Sequence, residues 1–256
     1  MFDLSDKNVV ITGSSKGIGK SIAQQMALAG AKVTISSRKA DVCEEVAKEI
    51  NDSLPAGSTG GAIVIPCNIN EKDSLQNLVN EAREKLGQID VLVCNAALNP
   101  YFGPSMGCPD DAFDKIMSAN IKSNHWLCNM VLPEMKERKD GAIIIVSSIG
   151  GLRGSPVLGA YSISKAADMQ LARNLAVEHG SDNIRVNAIA PGLIQTDFAR
   201  ALWENPDILK RATSTAPLKR IGQPDEIAGA AVFLASKAGT FMTGQTLTID
   251  GGQTIA

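Results

Sequence analysis

The sequence predicts an α/β fold, a doubly wound parallel sheet of about seven strands with helices on both faces. Two observations carry that reading. Short β-branched runs alternate with longer helical patterns, and a β-α-β-α order demands parallel strands. Several runs are apolar throughout, among them Val91-Leu92-Val93 and Ile143-Ile144-Ile145-Val146, as strands covered on both faces must be.

The strands read as Asn8 to Thr12, Lys32 to Ser36, Ala62 to Cys67, Ile89 to Cys94, Ala142 to Ser147 and Ile184 to Ala190, with a last one at Thr246 to Ile249. An amphipathic helical pattern follows the first strand through Ala29, and Leu54 to Gly61 reads as a loop before the third strand. The least regular stretch is 191–217, from Pro191 to about Pro217; a segment that long between a strand and a helix reads as a substrate lid. No repeat, low-complexity tract or linker divides the chain. With 256 residues, 44% apolar and 20% charged, residues 1–256 are expected to form a single domain around one large core.

Charge and rare residues exclude several functions. A formal net charge of −2 with scattered Lys and Arg leaves no basic stripe for nucleic acid and no basic amphipathic helix for a membrane surface. Five cysteines (Cys43, Cys67, Cys94, Cys108, Cys128), odd in number and without a C-x-x-C pair, argue against a disulfide framework and a zinc site, and point to a reduced compartment. With only His125 and His179, neither a histidine-based metal site nor a Ser-His-Asp site is expected. The opening Met1 to Lys7 does not read as a signal peptide, no run reaches the ~20 residues of a membrane span, and Gln253 to Ala256 is not a peroxisomal address. The expected localisation is cytoplasmic.

Directly after the first strand stands Thr12-Gly13-Ser14-Ser15-Lys16-Gly17-Ile18-Gly19, opening a helix. Glycines at a strand-to-helix turn let backbone approach a pyrophosphate held at the helix N-terminus, which makes the sheet Rossmann-like and Gly13, Ser15, Lys16, Gly17, Ile18 and Gly19 candidate cofactor residues. The spacing departs from G-x-G-x-x-G, and a purely structural tight turn is the alternative. The second strand ends Ser36-Ser37-Arg38-Lys39, with no acid before Asp41 to receive a ribose hydroxyl. Ser37 and Arg38, with Lys16 as a second cation, therefore favour the 2′-phosphate of NADP(H), unless both cations are merely solvated.

Tyr161-Ser162-Ile163-Ser164-Lys165 places a phenol and an ammonium one helical turn apart. A free tyrosine, with a pKa near ~10, is a poor acid or base at neutral pH; lowering it by ~3 units takes about 4 kcal/mol, which the lysine plus an oxidised nicotinamide ring could supply. The same spacing alone also fits an ordinary surface helix.

Taken in order, the glycine turn, Asn95-Ala96-Ala97, Asn120, Ser148, Tyr161, Lys165 and Pro191-Gly192 resemble the short-chain dehydrogenase/reductase family over the whole length. The resemblance implies Tyr161 as general acid or base, Lys165 on the nicotinamide ribose and lowering the tyrosine pKa, Ser148 orienting the substrate oxygen, and Asn120 holding a proton-relay water. Ser148 lies thirteen residues before Tyr161, as the family pattern requires, with Ser147 its structural neighbour. It further implies that Asn95 and Ala96 support the cofactor region, that Asn68 and Ile69 flank the adenine, that Ile194 and Thr196 hold the carboxamide, and that Pro191 and Gly192 are cofactor-binding. Asn68 stands where the family usually has Asp, and Ala97 where it usually has Gly.

Within the family the chain looks like the NADPH-dependent carbonyl/retinal reductases, which implies a hydrophobic ketone or aldehyde as substrate. The expected pocket draws on Asn99, Tyr101 and Phe102, on Gly151 and Leu152, and on Phe198, Leu202 and Trp203, where Phe198 and Trp203 either touch substrate or pack the lid. Resemblance also implies a homotetramer formed through helices around Asp111 to Glu137 and Pro156 to His179. The alternatives are a 3-oxoacyl-carrier-protein reductase, for which Arg153 and Lys210-Arg211 are the only basic docking candidates, an NAD-dependent alcohol dehydrogenase, and a non-catalytic dinucleotide sensor.

Overall fold

In β1 (Asn8–Ile11), Val9 and Ile11 enter one apolar layer and Val10 the other, the period-two alternation of a strand buried on both faces. The structure, a computed structural model, describes residues 1–256. The remaining strands are β2 (Lys32–Ile35), β3 (Gly61–Val64), β4 (Val91–Cys94), β5 (Gly141–Val146), β6 (Ile184–Pro191) and β7 (Thr246–Ile249). All seven pair in parallel in the order β3-β2-β1-β4-β5-β6-β7. The chain thus runs outward from β1 to β3, then returns to lay β4 on the other side of β1. At that reversal the connections diverge to opposite faces and leave a crevice at the strands' carboxyl ends.

Between the strands lie α1 (Gly17–Leu28), α2 (Ala40–Ser53), α3 (Lys72–Leu86), α4 (Asp110–Met117), α5 (Ser123–Arg138), α6 (Gly159–His179), α7 (Arg200–Trp203), α8 (Pro206–Thr213) and α9 (Pro224–Ala235). Helices α1, α2 and α9 bury Ile22, Met26, Ile50 and Ile227 against the face that receives Val9, Val93 and Ile144. Helices α3, α5 and α6 cover the other face with Leu75, Leu127, Val131 and Met169 over Val10, Leu92 and Ile143. Each of these side chains, removed from water, contributes roughly 1.5–3 kcal/mol, so both layers hold the sheet whose strand ends carry the site.

Two elements differ from the sequence reading. β3 ends at Val64 rather than Cys67 because Pro66 has no N–H, although Ile65 and Cys67 still donate to Ile35 and Ser37. The irregular stretch from Pro191 onward carries two short helices, α7 and α8. Asn205 caps the second, its Oδ1 accepting from the N–H groups of Asp207 and Ile208 ahead of Pro206 at the first turn. Helices α4 and α5 form one rod, interrupted by a π turn at Ser118–Lys122 that contains Asn120.

Candidate active site

The glycine turn is shaped by what surrounds it. Gly13 and Gly17 hold φ of +65° and +55°, a region that side chains rarely adopt, and a Cβ at Gly19 would collide with the Gly13 carbonyl and the Asn95 amide. Asn95, at the end of β4, donates through Nδ2 to the carbonyls of Thr12 and Gly13, both at 3.0 Å. Thr12 Oγ1 in turn accepts from the backbone N–H of Asn95 and Ala96. Asn95 thus pins the loop across the reversal point instead of reaching outward. No side chain caps the start of α1 and no acid occupies its first turn, so its first N–H groups and its positive end face the crevice, an arrangement that fits a pyrophosphate.

A cleft of about 320 Å³ runs from this turn along the sheet edge. It brings together Gly13, Ser15, Lys16, Gly17, Ile18, Gly19, Ser37, Arg38, Asn68, Ile69, Asn95, Ala96, Tyr161, Lys165 and Thr196. Pro191, Gly192 and Ile194 line the adjoining cavity instead. Arg38 is exposed at the cleft wall and makes no ion pair, whereas Lys16 stands 3.7 Å from Asp197 on the lid. Asn68 donates to Glu71 and braces the turn before α3.

Tyr161 and Lys165 lie one turn apart in α6, the ammonium 5.7 Å from the phenol ring centre. Tyr161 is 9% exposed and Lys165 1%. The lysine Nζ donates to the carbonyl of Val146 and to Asp168 Oδ2, each at 2.9 Å. Asp168 Oδ1 accepts from Asn124 Nδ2 at 2.9 Å, and the same amide donates to the Asn120 carbonyl at 2.6 Å. The Asn120 side chain clasps the loop after β4, accepting from Leu98 N–H at 2.9 Å and donating to the Leu98 carbonyl and to Ser164 Oγ. Both the backbone carbonyl and the side chain of Asn120, the residue expected to hold a relay water, therefore have protein partners. Ser147 donates to the Lys165 carbonyl and is structural, while Ser148 Oγ accepts from Gly150 N–H on the substrate side.

Burial pushes the Tyr161 phenol up from its ordinary value; the Lys165 charge lowers it, Asp168 raises it again, and the Ser148 hydroxyl lowers it. The net direction is upward because burial outweighs Lys165, whose charge lowers the phenol as the sequence reading expects. Burial by itself would drive Lys165 down, yet Asp168 and Tyr161 beside it hold the ammonium above its ordinary range. Burial likewise raises the Asp168 carboxyl, opposed by Lys165 and Asn124.

A second cavity, about 780 Å³, opens beyond Tyr161, and Ser147, Tyr161, Thr196 and Phe198 line both. Asn99, Phe102, Ser148, Leu158, Phe198 and Leu202 are on its wall, and the Phe198 ring centre lies 6.0 Å from that of Tyr161. Tyr101, Leu152 and Trp203 are not. Tyr101 bends back to donate to the Pro104 carbonyl, Leu152 is 48% exposed, and Trp203 turns its N–H to the Thr196 carbonyl on the outer side of the lid. A pattern of aromatic residues in a loop does not state which way each ring faces. Arg153, named from the sequence only as a docking candidate for an acidic carrier, is the one charged side chain on this wall, and the sequence reading missed Gln253, tied to the Ala212 carbonyl at 3.2 Å. Asp168 was missed too, although an acid three residues after Lys165 on a buried helix face was a readable signal.

This geometry has known counterparts. A family model described as enoyl-(acyl carrier protein) reductase matches residues 13–254. Dehydrogenase/reductase SDR family member 4 of Bos taurus is 40% identical over 250 residues, spanning 97% of this chain and 88% of the relative. A short-chain type dehydrogenase/reductase from Mycobacterium ulcerans superposes with a TM-score of 0.94 at 30% identity, covering 99% of this chain and 91% of that one. A 7α-hydroxysteroid dehydrogenase solved with NADH and 7-oxo glycochenodeoxycholic acid gives a TM-score of 0.91 at 37% identity, covering 98% and 95%. The chain belongs to the short-chain dehydrogenase/reductase family, and it is an oxidoreductase that uses a nicotinamide dinucleotide to interconvert carbonyls and alcohols. No helix is long and apolar enough to cross a membrane.

Proposed function

We propose that this protein is an NADP(H)-dependent reductase of hydrophobic ketones or aldehydes, running also in reverse, with Tyr161 as the general acid and base. The observation that carries the reading is the place of Tyr161: its phenol stands on the wall shared by a glycine-turn cleft and a mostly apolar cavity, where a dinucleotide and a carbonyl would meet. The nicotinamide supplies the hydride. Tyr161 gives its proton to the carbonyl oxygen as negative charge develops there, and Ser148, on the same wall, donates a hydrogen bond to that oxygen. Lys165 would hold the nicotinamide ribose, and Asn120 keeps the loop after β4 in register with α6. Gly13 to Gly19 take the pyrophosphate on the N-terminus of α1, while Asn68 and Ile69 flank the adenine.

Arg38, exposed and without an acid partner at the cleft wall, supports NADP(H), with Lys16 secondary. The lid over about 191–217 closes the apolar cavity, and the steroid dehydrogenase that accommodates a 7-oxo bile acid supports a bulky hydrophobic carbonyl. Residues 1–256 act as one NADP(H)-binding domain, in the cytoplasm and as a homotetramer. Initial rates with NADPH and NADH against alkyl and aryl ketones, aldehydes, diketones and a 3-oxoacyl thioester test the reading. NADPH preference with an apolar carbonyl is the expected outcome; activity confined to the thioester would move the protein to fatty-acid chemistry, and NADH preference would reject the role of Arg38.

A further inference from the structure

Three residues past the catalytic lysine, α6 carries an acid that the proposed mechanism leaves unused. Asp168 is 0% exposed, in a position where an apolar residue would pack without an electrostatic penalty. A buried carboxylate persists only when its lone pairs are met, and here they are: Lys165 Nζ reaches Oδ2 and Asn124 Nδ2 reaches Oδ1, both at 2.9 Å. Asn124 spends its second N–H on the carbonyl of Asn120, which the π turn of the preceding helix presents toward it. Lysine, carboxylate, amide and carbonyl form one hydrogen-bonded line from α6 into α5. The ammonium is fixed at its far side by Val146 on β5.

We propose that Asp168 is the positioning and charge-balancing residue of the Tyr161–Lys165 pair, holding the ammonium in place and opposing its field so that Tyr161 keeps its proton through neutral pH and serves as an acid toward a carbonyl. The inference builds on the reading of Tyr161 as general acid and adds a direction: the free enzyme is poised for reduction. An unbalanced ammonium 5.7 Å from the phenol ring centre would favour the phenolate, and a carboxylate 2.9 Å from that ammonium weakens the preference. The upward direction at Tyr161 comes first from burial; Lys165 opposes it, and Asp168 adds to it. The other titratable groups facing the cluster are thiols, Cys94 on β4 and Cys128 on α5. Cys94 is held well above its ordinary range, first by Cys128 beside it and then by burial, so it adds no charge. Lys165 and Asp168 therefore set the field at the phenol.

The deciding measurement needs no substrate. The chain has two tyrosines, so in a Tyr101→Phe background the near-ultraviolet absorbance of phenolate reports Tyr161 alone. Asp168→Asn is expected to lower the titration midpoint by about one pH unit or more, and to bring down the alkaline limb of the reduction rate by the same interval. An unchanged midpoint in a folded variant overturns the proposal. Should the unpaired ammonium prevent folding, Lys165→Met is compared with Lys165→Met/Asp168→Asn, which carries no buried charge at these positions. The double variant should titrate at lower pH than the single one, and equal midpoints would overturn the proposal as well. Because the absorbance is independent of any carbonyl, a failed substrate search would reject the reductase reading without touching this result.

Discussion

Lys16 on the glycine turn stands 3.7 Å from Asp197 at the start of the lid, so one ion pair spans the mouth of the cofactor cleft. Both side chains are more than half exposed, at 69% and 51%, so solvent screens the pair and a phosphate can replace the carboxylate. Asp197 does not depend on Lys16: Arg200 holds it at 2.7 Å, and that hydrogen bond is the main reason its carboxyl lies below the ordinary range. Lys16 can therefore turn toward a 2′-phosphate without stranding Asp197.

The first prediction concerns cofactor choice. Arg38→Ala should reduce the ratio of kcat/KM for NADPH over NADH by about tenfold or more, since a cation near a phosphate at a protein surface is worth roughly 1–4 kcal/mol before desolvation. Lys16→Ala should reduce it less, because Lys16 gives up Asp197 to bind. Initial rates with both cofactors decide the matter; an unaltered ratio in both variants would remove the basis for NADP(H).

Tyr161→Phe should lower kcat by about 10²–10⁴ while leaving NADPH affinity within a few-fold, because the ring still packs beside Phe198 and only the transferable proton is lost. Single-turnover rates and fluorescence titration of NADPH separate the two quantities. Retained turnover would reject Tyr161 as the acid.

The sheet was legible because its strands are apolar on both faces, a pattern that Val91 to Cys94 and Ile143 to Val146 satisfy without help from tertiary context. The cofactor cleft was legible for a related reason: glycines at Gly13, Gly17 and Gly19 are dictated by backbone geometry, which a sequence states directly. The substrate wall was not. Tyr101 and Trp203 are aromatic and close in sequence to residues that do line the cavity, yet each satisfies its own polar group on a backbone carbonyl and turns away. The net direction at Tyr161 was also hidden, since it depends on how deeply the phenol is buried and on which side of Lys165 the carboxylate of Asp168 lies.

Gly19→Ala should disable the cleft. The added Cβ would overlap the Gly13 carbonyl and the Asn95 amide, the groups that hold the turn to β4. Overpacking of this kind costs typically about 1–3 kcal/mol, and relief by moving the turn would spoil its fit to a pyrophosphate. Thermal denaturation and NADPH titration should both shift. By contrast Gly229→Ala, on α9 with open space around its Cβ, should leave the melting temperature equal or higher.

The root of the lid makes stability depend on pH. Glu226 in the first turn of α9 accepts from the Gln223 N–H at 2.8 Å and from both terminal nitrogens of Arg220, at 2.7 and 2.6 Å. Gln223 reaches across to Gln195 at 2.9 Å, and Gly222 bridges Ile194, so the same turn anchors the strand-end from which the lid departs. Arg220 first, then the Gln223 N–H, hold the Glu226 carboxyl down from 4.5 to about 2. A depressed folded-state pKa stabilises the fold above the unfolded value, so the contribution is complete above about pH 4.5 and is lost progressively as pH falls toward 2. With the carboxylate side chain 39% exposed, screening leaves about 1 kcal/mol or less of it. Urea denaturation of Glu226→Gln beside the unsubstituted protein should therefore show a stability difference that is constant near neutrality and shrinks below about pH 4.5. A difference that persists unchanged to pH 3 would mean that Glu226 acts through packing alone, and that the anchor of the lid does not titrate.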